Sequence, residues 1–266
     1  MVKKYANGEA FLEENRPLLD TDGYRAAFFY ADAELIRTAD RENYALRAKD
    51  GEKTLLAIRA EPFATVLFGS PALAPELFGY IVDGGFKLGT YLCGEDVGDA
   101  AAAFLDGEYG LKYSEGLAMD FMEATEVTEP SSEGIEVPTG SDLDEICALL
   151  ERFIIDCGLL DKVDRAGVER TIERFRVLRR DGLIVSMAKS VPSTGNSARI
   201  SDVYTRPEFR GQGLARRVVN TLKNEILAAG NKATLNVDKA NPYSNRLYAS
   251  LGFKKLFSQG EYRKAQ

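Results

Sequence analysis

Apolar and polar positions alternate along this chain in two stretches of regular elements separated by a polar break. In the first stretch, Glu9–Leu18 and Asp22–Asp40 read as helical surface segments. Tyr44–Ala48 and Leu55–Arg59 read as strands flanking Asp50-Gly51, a hairpin signal. Thr65–Phe68 is a short strand, Pro75–Val82 a helix, Leu88–Cys93 a strand and Val97–Phe104 an Ala-rich helix. Leu117–Ala124 fits a final apolar strand or a short helix. The break is Thr125-Glu-Val-Thr-Glu-Pro-Ser-Ser-Glu-Gly134, polar and without helical or strand period, which is linker composition.

The second stretch is more sharply punctuated. Gly134–Pro138 reads as a short strand, and Ser141-Asp-Leu-Asp144 resembles a capping box opening a helix to about Ile155. Arg165–Arg180 is expected as a second helix with a charged outer face. Leu183–Lys189 and Ala198–Thr205 read as strands on either side of a hairpin loop at Val191–Gly195. A glycine-containing turn then enters a helix at Leu214–Ala229, followed by a strand at Thr234–Val237. Asn241-Pro242 is a strong helix start, with Asn as N-cap and Pro at the first helical position. That helix stops at Gly252, and Phe253–Phe257 begins a last strand. The expected organisation is an N-terminal α/β domain over 1–126 and a second domain over 134–266.

Charge sharpens the division. Residues 1–132 carry 12 Lys+Arg against 24 Asp+Glu, net -12, whereas 133–266 carry a net +5, the two summing to the chain's -7. A sign change between halves implies different partners for each. The acidic half argues against nucleic-acid binding by the whole chain, and the basic half suits an anionic ligand. No run approaches the ~18 apolar residues of a membrane span, and the N-terminus lacks a signal-peptide core, so a cytoplasmic protein with no membrane partner is expected. There is no histidine, which excludes Ser-His, Cys-His and His-metal chemistry. Cys93, Cys147 and Cys157 show no CxxC spacing and read as small buried apolar residues, with no metal site expected.

The stretch that carries chemistry is Ser201-Asp-Val-Tyr-Thr-Arg-Pro-Glu-Phe-Arg-Gly-Gln-Gly-Leu-Ala215. A strand ends at Arg206-Pro207, and Arg210-Gly-Gln-Gly213 turns into a long helix. Glycines allow a tight turn and close ligand approach. Main-chain N–H groups and the positive end of the helix dipole make such a turn an anion site. Arg210, Arg216 and Arg217 add positive charge, so the site suits a diphosphate. It is neither a Walker loop nor a complete dinucleotide fingerprint; alone it reads equally as a plain strand-to-helix turn.

A second element beyond the next strand, Asn241-Pro-Tyr-Ser-Asn-Arg-Leu-Tyr-Ala-Ser-Leu-Gly-Phe253, changes this reading. The pattern Arg210, Gly213, Ala215, then Asn241, Tyr248 and Gly252-Phe253 closely resembles the GNAT superfamily of acyl-CoA-dependent N-acetyltransferases over about 134–266. The resemblance implies an α/β (α+β) fold, a mixed, mostly antiparallel central sheet flanked by helices. It also implies acetyl-CoA as co-substrate. Val203, Tyr204 and Thr205 would then pair with the pantetheine amides from a bulged, splayed strand. The N–H groups over Arg210, Gly211, Gln212, Gly213, Leu214 and Ala215 would hold the pyrophosphate. Asn241 would hydrogen-bond the cofactor arm, a role that coexists with capping its helix. Tyr248 would donate a proton to the leaving thiolate; without the resemblance it reads as a packed aromatic. The first half is compatible with a degenerate copy of the same fold, although Phe78-Gly-Tyr and Asp83-Gly-Gly-Phe-Lys87 do not match the glycine turn.

Thioester chemistry requires positioning, an oxyanion donor and two proton movements, without a covalent enzyme intermediate. The Val203–Thr205 N–H groups are the candidate oxyanion donors. Some members of the superfamily carry Glu where this chain has Asn236, which cannot take a proton at neutral pH. Asp202, acting through water, is the candidate base; Glu208 reads as a solvated carboxylate, and a bulk-water route is the alternative. The expected activity is acetyl transfer to an amine of a small molecule or peptide, cationic if the acidic half lines its path. The expected assembly is a monomer or homodimer. Transfer of another acyl group, transfer to oxygen, or a non-catalytic CoA-binding module are the alternatives.

Overall fold

The computed structural model describes residues 1–158, 162–193 and 196–265, and the expected hairpin loop at Val191–Gly195 falls partly outside them. The chain divides into two compact units. Unit 1 comprises residues 1–120, 238–240 and 257–266, and unit 2 comprises 121–237 and 241–256. Residues 257–265, grouped by sequence with the C-terminal half, thus pack in unit 1.

Unit 1 opens with β1 (Val2–Lys4), α1 (Gly8–Leu19) and α2 (Gly23–Leu35). It continues through β2 (Tyr44–Asp50), β3 (Lys53–Arg59), β4 (Thr65–Gly69), α3 (Ala74–Asp83), β5 (Tyr91–Cys93), α4 (Glu95–Tyr109) and β6 (Tyr113–Ala124). The β2–β3 pair is antiparallel to the Asp50↔Lys53 register, leaving Gly51-Glu52 as the turn with Gly51 at φ +56°. Successive residues point to opposite faces of a strand. Tyr44, Leu46 and Ala48 therefore pack with Leu77 and Phe78 of α3 and Ala101 and Leu105 of α4, whereas Ala45 and Leu56 pack with Phe11 of α1 and Phe29 of α2. Residues 257–264 of β12 (Lys254–Lys264) complete this sheet, with Gly260↔Cys93 and Tyr262↔Tyr91 in antiparallel register. An added Cβ at Gly98 would lie 2.1 Å from the Tyr262 ring, so this glycine makes room for that strand.

Unit 2 repeats the order of elements. It runs β7 (Ile135–Glu136), α5 (Leu143–Asp156), α6 (Arg165–Arg170), β8 (Phe175–Arg180), β9 (Leu183–Ser193) and β10 (Ser197–Thr205). Next come α7 (Leu214–Ala228), β11 (Lys232–Asp238), α8 (Pro242–Ser250) and the start of β12. Pairings β7–β8, β8–β9 and β9–β10 are antiparallel, and β10–β11 is parallel. Residues 121–124 of β6 lie beside β11 and bury Met122 and Ala124. Again the sheet is covered on both faces. Phe175, Val177, Ile184 and Met187 meet α5 and α6, whereas Leu178, Val185 and Ile200 meet α7 and α8. The mixed, mostly antiparallel sheet between helices agrees with the expected fold class.

Several sequence expectations require correction. The segment 165–180 is not one helix: α6 ends at Arg170, Ile172–Arg174 is a single 3-10 turn, and Phe175–Arg180 is strand β8. Its arginines mimic a charged helix face, yet Arg176 pairs with Glu225, and Arg179 with Glu136 and Asp142. The capping box sits two residues earlier than Ser141–Asp144, between Thr139 and Asp142. The helix expected to reach Asp40 ends at Leu35, because the next residue, Ile36, is drawn into the core at 2% exposure. The strand over 88–93 shortens to Tyr91–Cys93. The Thr125–Gly134 segment has no regular structure but is strapped to α7. Asn220 Nδ2 donates to Pro130 O at 2.7 Å, and Asn224 Nδ2 to Glu129 O at 2.9 Å. Cys157 is exposed, unlike the buried Cys93 and Cys147.

Candidate active site

Unit 2 brings the motif residues to the C-terminal end of β10. Its pairing with β11 runs from Ser197↔Lys232 to Ile200↔Leu235 and ends there. On its other side, the register with β9 slips between Ser201↔Lys189 and Tyr204↔Met187, so Asp202 and Val203 oppose Ala188 alone. This is a β-bulge. Asp202 absorbs it at φ +53°, a left-handed conformation that Asp tolerates better than most residues. A bulge bends its strand, and here β10 leaves β11 at the same point.

The end of β10 is pinned by groups that sequence reasoning did not identify. Arg206 Nε donates to Ile184 O at 2.7 Å and its Nη2 to Glu145 Oε1 at 2.8 Å. Glu145, on α5, also accepts from the Ile184 N–H at 3.0 Å. The Ser186 and Thr205 hydroxyls lie 2.9 Å apart. The only sequence signal for this anchor was an arginine immediately before Pro207. Val203 and Thr205 are half-buried, and Tyr204 is 5% exposed with its ring against Phe153.

After the 3-10 turn Pro207–Phe209 the chain crosses Arg210-Gly-Gln-Gly213 into α7. Gly211 (φ +75°) and Gly213 (φ +72°) are both left-handed, and a Cβ on either would meet nothing within 4 Å. Backbone conformation and open space above the turn, not packing, account for these glycines. Gly213 is the N-cap and no side chain caps the helix. The first α7 N–H groups, of Leu214 and Ala215 among them, therefore keep their hydrogen-bonding capacity at the positive end of a 15-residue helix. Below the turn, Leu214, Val218, Val219, Leu222 and Ile226 fix α7 on the sheet. Lys223 is fully buried on that same stripe. Its Nζ donates to Thr128 Oγ1 at 2.8 Å and Leu251 O at 2.9 Å, and burial pushes its pKa down.

Each of the three arginines expected to add positive charge beside a diphosphate has a partner within the fold. Arg210 pairs with Asp156 at 2.7 Å, and Arg216 with Glu129 at 2.7 Å. Arg217 donates to Glu133 O at 2.7 Å. Gln212 accepts from Arg180 at 2.6 Å. The turn is consequently a main-chain donor site at which the charges of Arg210 and Arg216 are compensated by carboxylates, while Arg217 is tied to a neutral carbonyl.

On α8, Asn241 Oδ1 accepts from the Ser244 N–H at 3.1 Å, closing the N-terminus over Pro242. The side chain remains exposed. Tyr248 is 7% exposed and packs edge-on against Phe253, with centroids 6.1 Å apart. Burial, with a smaller contribution from Cys157, pushes its phenol up to about 12. Its hydroxyl has no hydrogen-bond partner among the described residues. Asp202 is half-buried, and desolvation raises its carboxyl pKa against the opposing pull of Lys189 and Arg199. Asn236 lies half-buried on β11, and Glu208 is exposed. Among the described residues, no group of three or more His, Cys, Asp or Glu could hold a metal ion.

The same position in unit 1 is built differently. β4 ends at Gly69, Pro71–Leu73 forms a 3-10 turn, and α3 follows with Pro75 in its first turn. Pro71 and Pro75 have no N–H to offer an anion. Glu76 places a carboxylate in that first turn and pairs with the amino group of Met1.

Residues 179–263 match the model of the FR47-like protein family. Over 182 residues the chain is 26% identical to an amino-acid acetyltransferase of Pseudomonas putida (strain GB-1), an alignment covering 64% of this chain and 42% of that protein. The chain thus spans less than half the length of this curated relative. Among solved structures, a GCN5-related N-acetyltransferase from Sphaerobacter thermophilus superposes with TM-score 0.62 at 17% identity, covering 99% of this chain and 95% of that one. A tandem GNAT protein from the clavulanic acid biosynthesis pathway gives TM-score 0.52 at 14% identity, covering 100% and 98%. The fold is that of these GNAT acetyltransferase structures.

Proposed function

We propose that the chain is an acetyl-CoA-dependent N-acetyltransferase whose chemistry is carried by unit 2. The observation that carries this reading is the continuity of one element. β10 bulges at Asp202-Val203, leaves β11 after Ile200, and runs directly into an uncapped, glycine-lined helix start. An extended ligand arm can add to the freed edge of β10 as a strand would. Its phosphates then meet the N–H groups over Gly211–Ala215.

Within that reading each residue has a task. Those N–H groups of Val203–Thr205 that alternate away from β9 serve as oxyanion donors, which help most when their position is fixed in advance. The Arg206–Glu145 anchor supplies that fixity. Tyr248, held near 12 by burial, keeps its proton throughout the working range and offers it to the departing sulfur. That value lies above an ordinary thiol, so the phenol acts chiefly as a hydrogen-bond donor to the forming thiolate. Asp202, with its pKa raised, accepts the amine proton through water better than an ordinary carboxylate at neutral pH. Asn236 offers no alternative base.

Unit 1 is read as a second GNAT-type copy without a phosphate site, because Pro71, Pro75 and Glu76 remove donors and oppose an anion. One coenzyme A per chain follows. The net charge of -12 over residues 1–132 favours a cationic amine as acceptor. The amino-acid acetyltransferases at 26% identity favour a second reading, an amino acid acceptor. Both readings are tested by titrating coenzyme A into the purified chain and then assaying thiol release with a panel of polyamines, aminoglycosides and amino acids. One equivalent bound and amine-dependent release are expected. Absence of coenzyme A binding by the folded chain removes the reading; preference for an acidic amino acid removes the cationic acceptor.

A further inference from the structure

The turn assigned above to coenzyme A has a carboxylate already on its arginine. Asp156 is the last residue of α5. Its Oδ2 accepts from Arg210 Nη2 at 2.7 Å and from the Tyr204 hydroxyl at 3.4 Å. Arg210 is held at a second point, its Nε donating to Thr205 O at 3.0 Å, and its guanidinium lies 5.5 Å from the Tyr204 ring centroid. One side chain of α5 thereby ties the end of β10 to the first residue of the glycine turn.

This is a poor place for a carboxylate on stability grounds. The C-terminal end of a helix carries partial negative charge, and the last turn of α5 has no basic residue. The pair with Arg210 is half-exposed, at 50% and 40%, where ion pairs contribute little. Among the three arginines of this region, Arg210 is the exposed one, while Arg216 and Arg217 are half-buried against the 125–134 strap. Arg210 is therefore the guanidinium that an incoming phosphate can recruit, and recruitment leaves Asp156 without its ion-pair partner at its own helix terminus.

We infer that Asp156 is an internal competitor for Arg210 that lowers the affinity of the turn for the phosphates of coenzyme A. The inference rests on the proposed reading of the Arg210–Ala215 turn. It assigns Asp156 a role in setting cofactor affinity, without contact to the reacting atoms.

The test is calorimetric titration of coenzyme A into the full chain and into Asp156→Asn, Asp156→Ser, Arg210→Gln and the Asp156→Asn/Arg210→Gln double variant. Both Asp156 variants should bind up to about five-fold tighter, the range a single half-exposed pair allows. The gain should shrink at high salt, vanish in the Arg210→Gln background, and be absent for a pantetheine thioester that lacks phosphates. Weaker or unchanged binding by the folded Asp156 variants overturns the inference, as does a gain that survives Arg210→Gln. If the wild-type chain itself binds no coenzyme A, the reading of the turn fails first. Binding by wild type without a gain in the variants refutes the role of Asp156 alone.

Discussion

Replacing Gly213 with asparagine separates the two reasons a glycine can be needed. At φ +72° an alanine is strained by roughly 1–2 kcal/mol. Asparagine tolerates the left-handed region, so most of that cost is avoided. The folded structure adds no steric penalty, because a Cβ at 213 meets nothing within 4 Å. The stability change expected for Gly213→Asn is therefore below about 1 kcal/mol, a shift of a few degrees in melting temperature for a domain of this size. The ligand experiences a different change. The side chain projects into the open space above the uncapped α7 N-terminus, and its amide oxygen can satisfy an N–H of the first turn. Phosphate then loses both room and a donor. A loss of coenzyme A affinity of at least about ten-fold is expected, equivalent to about 1.4 kcal/mol. Thermal melting and calorimetric titration on the same preparation measure the two quantities. An unchanged melting temperature with unchanged affinity refutes the phosphate-turn reading. A large drop in melting temperature shows instead that the glycine is structural.

Tyr248→Phe should lower kcat by about a hundred-fold, the lower end for loss of a positioned proton donor. Its Kd for coenzyme A and its melting temperature should hardly move, because the hydroxyl has no partner among the described residues to lose; unaltered turnover excludes the donor role. Asp32 in unit 1 provides a test independent of function. Burial raises its carboxyl to about 6, Arg59 pulls it back only partly, and Oδ2 has no hydrogen-bond partner among the described residues. An unfolded aspartate titrates near 3.9, so the folded state holds this proton more tightly. The stabilisation from this tighter proton is fully present below about pH 4 and is lost as pH rises through 6, so that by pH 7 the buried carboxylate costs the fold about 2–3 kcal/mol relative to low pH. Asp32→Asn should raise the melting temperature at pH 7 and leave it unchanged near pH 3; equal shifts at both would show the carboxyl is not titrating abnormally.

Local chemistry made much of unit 2 readable from residues alone. Asn241-Pro242 marked a helix start because a capping oxygen and a fixed φ act within one turn, and Asn241 Oδ1 caps Ser244 as expected. Gly211 and Gly213 marked the turn because few other residues adopt a positive φ cheaply. In unit 1 the β2–β3 hairpin was legible for the same reason, through Asp50-Gly51. Each of these signals is complete within a few residues of sequence.

What escaped the sequence depends on partners far along the chain. Arg176 and Arg179 gave β8 the look of a charged helix because Glu225 and Glu136, which neutralise them on the sheet, are 49 and 43 residues away. Lys223 sits on the apolar stripe of α7 yet is fully buried, a position made tenable by its hydrogen bonds to Thr128 and the carbonyl of Leu251. The same distance effect governs the site. Local sequence counted Arg210, Arg216 and Arg217 as charge for a phosphate, whereas Asp156, Glu129 and the Glu133 carbonyl engage all three. Attraction of a diphosphate to this turn must therefore come first from main-chain N–H groups whose direction the fold sets, with side-chain charge released only where a partner gives way. Arg210 is the arginine where that release is cheapest, since its carboxylate partner is half-exposed and stands at the unfavourable end of its own helix.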